Sequence, residues 1–137
     1  MQLEFALLAR FAQFAQDRTL SVMGACFDTL FMRALPRQLP PLYIVARFSE
    51  DEPTPTGSHL FSVDLELPDK TRRKLGPPQP LNDSIHADHV GNKVSTITSI
   101  LVVALEVSVP GHHKLYLVVN GTDLAALPLT ITISPEQ

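Results

Sequence analysis

The stretch Val107-Ser108-Val109-Pro110-Gly111-His112-His113-Lys114-Leu115-Tyr116-Leu117-Val118-Val119-Asn120-Gly121 decides the fold class. A few residues later it is answered by Leu127-Pro128-Leu129-Thr130-Ile131-Thr132-Ile133. A Pro-Gly corner, an alternating run, an Asn-Gly pair and a second alternating run spell a β-hairpin, because Asn and Gly accept the positive φ of a two-residue turn. Period two puts His113, Leu115, Leu117 and Val119 on one face, expected inward, and His112, Lys114, Tyr116 and Val118 on the other. An inward His113 fits a structural part, with a ring N–H returned to a loop carbonyl.

Upstream segments carry the same signature. Residues 96–109 are the longest apolar run, expected to cross the centre of the domain. Residues 59–67 alternate, with Leu60, Ser62, Asp64 and Glu66 opposing Phe61, Val63, Leu65 and Leu67. Asp64 and Glu66 are expected to face water. Residues 42–48 are β-branched and aromatic. Pro36, Pro40 and Pro41 cannot join a central ladder, so residues 35–41 form a crossing between sheets. Residues 3–15 admit two readings. Leu3, Leu7, Phe11 and Phe14 have helical spacing, whereas Leu3, Phe5, Leu7, Ala9 and Phe11 alternate as a strand. The absence of a cap and the turn at Asp17-Arg18-Thr19 favour a strand pair, against a helical propensity. Residues 71–93 read as a long irregular loop or a short helix capped near Asn82 or Asp83. Seven or eight strands without βα alternation predict one domain over residues 1–137. Its expected fold is an all-β, immunoglobulin-like antiparallel β-sandwich.

Composition narrows the function classes. Apolar residues make up 45% of the 137 and charged residues 18%, which excludes a largely disordered chain and implies apolar surface that meets a partner. The net charge of −3 argues against phosphate-backbone binding, so no nucleic-acid partner is expected. A lone Cys26 excludes a disulfide scaffold and points to a reducing cytoplasm; flanked by Ala25 and Phe27, it reads as a small buried hydrophobe. No secretory signal is evident at the start, and no apolar run approaches the roughly 20 residues of a membrane helix.

The chain resembles an uncharacterised family of small bacterial proteins. The resemblance rests on Leu20-Ser-Val-Met-Gly24 after Asp17, Phe27-Asp28-Thr-Leu30-Phe31, Pro40-Pro-Leu-Tyr43-Ile-Val-Ala-Arg47 and the closing Pro-Gly hairpin. Here His113 stands two residues after Gly111, where such hairpins carry an aromatic. The resemblance implies the immunoglobulin-like sandwich and brings no catalytic residues.

The candidates for chemistry are few. His86-Ala-Asp88-His89 spaces two imidazoles by one turn if helical, and His112 could approach them. Imidazole and carboxylate suit zinc, but no third ligand is fixed by spacing, and solvated histidines in a polar loop are the expected reading. Asp28, between large apolar residues, reads as buried against backbone partners. No nucleophile elbow, paired catalytic carboxylates or phosphate loop occurs, so no catalytic residue and no cofactor are expected. The reading that remains is a non-catalytic protein-interaction or self-association module. Its partner is another protein or a second copy, with Leu8, Tyr116 and Val118 nominated as interface residues on apolar outer faces. The alternatives are a metal-binding protein or metal-assisted hydrolase using His86 and His89, and a structural subunit of a larger assembly.

Overall fold

The computed structural model describes residues 2–17, 19–51, 59–80, 84–90 and 93–134, without the side chains of 51, 84–90, 93 and 94. Its strands are β1 (Gln2–Ala9), β2 (Phe11–Phe14), β3 (Leu20–Met23), β4 (Thr29–Met32), β5 (Arg37–Gln38), β6 (Leu42–Asp51) and β7 (Leu60–Glu66). They continue as β8 (Arg72–Lys74), β9 (Gln79–Pro80), β10 (Ser84–Val90), β11 (Lys93–Val102), β12 (Glu106–Val107), β13 (Gly111–Val119) and β14 (Thr122–Ile133). No helix occurs among the described residues. The first sheet has the order β1-β6-β11-β10 and the second β4-β14-β13-β7-β8, with β9 also on β7. Two ribbons, β2–β3 and β5–β12, flank them.

The closing hairpin forms where expected. Asn120 and Gly121 take φ values of 52° and 81°, which lets Val119 oppose Thr122 across a tight turn. The segment 3–15 is extended, and β2 pairs with β3 as the strand reading requires. The proline-rich crossing carries the chain from β4 in the second sheet to β6 in the first.

Three expectations are corrected. The fold is all-β but not purely antiparallel, because β4 lies parallel to β14, Thr29 beside Thr130 and Met32 beside Ile133. A parallel pair needs a long connection, and these two strands come from opposite ends of the chain. Residues 71–93 are not one loop or helix: they hold β8, β9 and β10. The candidate caps Asn82 and Asp83 lie outside the described residues. The run 96–109 ends its strand at Val102, where the chain turns and Ala104 adopts a φ of 57°.

The core lies between the sheets. Leu8, Leu42, Ile44, Ala46, Ile100 and Val102 of the first meet Leu30, Val63, Leu65, Leu115, Leu117, Leu129 and Ile131 of the second. Each fully buried aliphatic side chain contributes roughly 1.5–3 kcal/mol. A bulge between Leu3 and Phe5 decides which half of β1 joins this core. The extra residue reverses the alternation, so Ala6 and Leu8 turn inward while Phe5, Leu7 and Ala9 turn out. Leu8 is therefore a core residue, 2% exposed, and not an interface residue.

His113 is 1% exposed, and its Nδ1–H donates to the Gly111 carbonyl at 3.1 Å, the structural part expected of it. Its Nε2 is buried without a hydrogen-bond partner. Burial pushes the imidazole below its ordinary value; the Gly111 carbonyl opposes that shift, and nearby Arg73 adds to it. Gly111 itself has a φ of 125°, and a Cβ there would meet Pro68 Cγ at 3.1 Å. Gly111→Ala is accordingly expected to destabilise the fold by about 1–3 kcal/mol, read as a lower urea midpoint.

Candidate functional site

The two sheets present opposite kinds of outer face. On the second, register places Lys114, Asp64, Glu66, Arg72, Lys74 and Asp123 outward. Arg72 staples this face. Its Nη1 and Nη2 donate to the two Asp123 carboxylate oxygens at 2.8 and 2.9 Å, and Nη2 also to Asp64 Oδ2 at 2.8 Å. The guanidinium carbon lies 4.0 Å from the Tyr116 ring centroid, and the Tyr116 hydroxyl donates to Glu66 Oε2 at 3.2 Å. One side chain from β8 thus ties β7, β13 and β14. The contacts with Asp123 first, and Asp64 second, hold the guanidinium charged. The Arg72 hydrogen bonds hold the Asp123 carboxyl below its usual range. Desolvation, then the Glu66 carboxylate, raises the Tyr116 phenol.

A second polar chain joins β6 to the closing turn. Asn120 Oδ1 accepts from the Leu60 amide at 3.0 Å, which leaves its Nδ2 to donate to His59 Nδ1 at 2.8 Å. The ring must then carry its proton on Nε2, which donates to Glu50 Oε1 at 2.8 Å. Both imidazole nitrogens are committed, so His59 acts as a clamp and offers no lone pair to a substrate.

The first sheet's outer face has a different character. Three cross-strand rows cover it: Phe5–Arg47–Ile97, Leu7–Val45–Ser99 and Ala9–Tyr43–Leu101. Arg47 is the one charged side chain of these nine, and its Nε is paired with Glu4 Oε2 at 2.7 Å. Phe5 is 41% and Leu101 50% exposed, whereas Ala9, Val45 and Ser99 are buried. The apolar surface continues beyond the rows. Phe11 stacks edge-on against Tyr43 with centroids 5.9 Å apart, and it pairs across β2–β3 with Met23, which is 67% exposed. Val103 follows Leu101 and is also exposed. Apolar side chains thus run from the β2–β3 ribbon across β6 to the end of β11.

A family of unknown function, DUF6941, matches residues 4–132. The chain belongs to this family. No curated protein and no solved structure matches it. The match spans both sheets, so the staple, the His59 clamp and the apolar rows all lie within the part of this DUF6941 chain that defines its membership.

The residues nominated from sequence fall in separate places on the DUF6941 chain. His86, Asp88 and His89 stand on β10, a strand with a register shift between the two histidines, so they are not one helical turn apart. Their side chains lie outside the described ones. His112 is the second residue of β13 in the other sheet, where its Nδ1 meets Thr130 Oγ1 at 3.0 Å. Among the described residues no three His, Cys, Asp or Glu side chains gather as metal ligands. Tyr116 faces outward but lies beneath the Arg72 guanidinium, and Val118 is half-buried. Asp64 does not face water as expected: it is 7% exposed, covered by the staple. Asp28 and Cys26, expected to be buried, are both exposed. Cys26 sits in a left-handed bend with a φ of 63°, its amide donating to Leu8 O at 2.8 Å, and this geometry turns the thiol away from the core.

One cleft opens between the sheets on the side where β7–β9 face the end of β11. It measures about 660 Å³ and is lined by Phe61, Val63, Leu75, Ile100, Leu105 and Arg73 among others. Arg73 Nη2 donates across to the Glu106 carbonyl at 3.0 Å. Ser62, Gln79 and Glu106 add polar groups to the lining, and no histidine joins them. No helix of the described residues is long and apolar enough to cross a membrane.

Proposed function

We propose that this chain is a non-catalytic interaction module that docks a protein through the outer face of its first sheet. The observation that carries the reading is the apolar surface Met23–Phe11–Tyr43–Leu101–Val103, continuous with the three rows around Val45. A solvated sheet face normally alternates toward polar residues, as the second sheet does with six charged side chains. A contiguous apolar patch on an otherwise charged molecule marks a contact surface. An exposed lone thiol at Cys26 fits a reducing compartment, the cytoplasm.

The test is positional. A photoreactive amino acid at Leu101 is expected to give covalent protein adducts in the native cell, and the same probe at Lys114, on the stapled face, is not. Adducts of equal yield from both positions, or none from Leu101, contradict the reading.

A further inference from the structure

We infer that Asn120 is a site of self-modification: an Asn-Gly pair open to deamidation and held back by the His59 clamp, whatever the first sheet's outer face binds. Asn120-Gly121 is the one Asn-Gly pair in the chain. Glycine in the second position leaves the peptide nitrogen open to approach, because no Cβ shields it. The Gly121 nitrogen attacks Asn120 Cγ and closes a succinimide ring. Its proton passes through water to Nδ2, whose bond to Cγ breaks, and ammonia leaves. Water then opens the ring at either carbonyl, giving an aspartate or an isoaspartate. Water is the only co-reactant, and Asn120 and Gly121 are both exposed to it.

The fold supplies the restraint. Cγ reaches the Gly121 nitrogen only when the carboxamide turns back over its own peptide bond. Here the carboxamide is held by β7 and the residue before it: Oδ1 accepts from the Leu60 amide at 3.0 Å, and Nδ2 donates to His59 Nδ1 at 2.8 Å. The Asn120 amide also donates to the Leu60 carbonyl at 2.8 Å, so backbone and side chain are tied to the same place. His59 is fixed in turn from the first sheet, by Glu50 Oε1 at 2.8 Å and by the Phe48 ring, edge-on at 6.0 Å. The His59 and Glu50 side chains are only 15% and 11% exposed, so water competes poorly for these bonds.

Conversion undoes the clamp. Both oxygens of an aspartate are acceptors, so one of them meets the His59 Nδ1 lone pair where a donor stood, and the contact closes again only if the ring takes a second proton. An isoaspartate adds a methylene to the main chain, which a two-residue turn with Val119 opposite Thr122 does not absorb. Ammonia is lost, so the change runs one way and marks chains whose clamp has opened.

Peptide mapping of the full chain during incubation at neutral pH tests this, since it reads conversion at Asn120 and separates aspartate from isoaspartate. The native parent is expected to convert about tenfold or more slowly than the same chain in guanidinium chloride, because both carboxamide bonds must open first. His59→Ala, which removes the acceptor for Nδ2, is expected to raise the native rate about fivefold. His59→Phe keeps a ring against Phe48 without Nδ1 and is expected to do the same. Gly111→Ala weakens the fold at the far end of β13 and leaves the clamp untouched, so it is expected to keep the parent's rate. A folded parent that converts as fast as the unfolded chain overturns the inference, as do His59 variants that convert at the parent's rate. Equal acceleration by Gly111→Ala also overturns it, because protection then comes from global stability and not from the clamp.

Discussion

His113→Ala is expected to lower the unfolding free energy by about 2–4 kcal/mol, because it empties a nearly fully buried ring position between the sheets. His113→Phe should stay within about 1 kcal/mol of the parent at neutral pH. It keeps most of the volume and loses the bond to Gly111, but it also removes the unpartnered Nε2. The two variants separate packing from polarity. Their pH dependence gives a second readout. Burial holds the native imidazole below its ordinary value near 6.5, whereas the unfolded chain takes up its proton near that value. Below pH 6.5 the unfolded state therefore binds more protons, and stability falls as pH drops from there toward the native value. Urea midpoints between pH 7 and 5 should fall more steeply for the parent than for His113→Phe. Parallel profiles would show that His113 is not buried neutral.

Arg72→Ala should destabilise by about 1–3 kcal/mol. Removing one partner of a fully buried pair costs about 3–5 kcal/mol, but the Arg72 side chain is 35% exposed, so solvent screens part of the loss. What remains comes chiefly from Asp64, left covered beside Tyr116 without its donor. Arg72→Lys should recover little, since an ammonium cannot fork onto Asp123 and reach Asp64 at once. The Asp123 contribution has the same pH sign as that of His113 but acts in a more acidic window. Its carboxyl is held below 3.8, so the stability it supplies is present above that value and lost as pH falls further. The gap between parent and Arg72→Ala should therefore narrow in strong acid, as measured by urea unfolding at pH 7 and pH 3.

What could be read from sequence follows the reach of each signal. The Asn120-Gly121 turn and the alternation around His113 are local, and they place the hairpin and the buried ring correctly. The same counting fails in β1, where one extra residue near Glu4 reverses the alternation; nothing in Leu3-Glu4-Phe5 marks the bulge. That single residue moves Leu8 into the core and turns Phe5 and Leu7 outward. The parallel β4–β14 pair joins residues about a hundred positions apart, beyond any local pattern. The Arg72 staple was half legible. The turn at Pro68-Asp69-Lys70 sets Arg72 opposite Glu66 and diagonal to Asp64, yet Asp123 comes from a distant hairpin. The apolar excess is legible in the composition, but its place on Tyr43 and Leu101 required the register of three strands.

Side-chain NMR spectra of the full chain, recorded with and without extract of its native cell, test most directly whether the first sheet's outer face is where this molecule makes contact. Signals of Phe5, Tyr43, Ile97 and Leu101 should shift or broaden together when extract is added, while Lys114 and Tyr116 stay fixed. Changes centred on Tyr116, or spectra that extract leaves unaltered, would contradict the account.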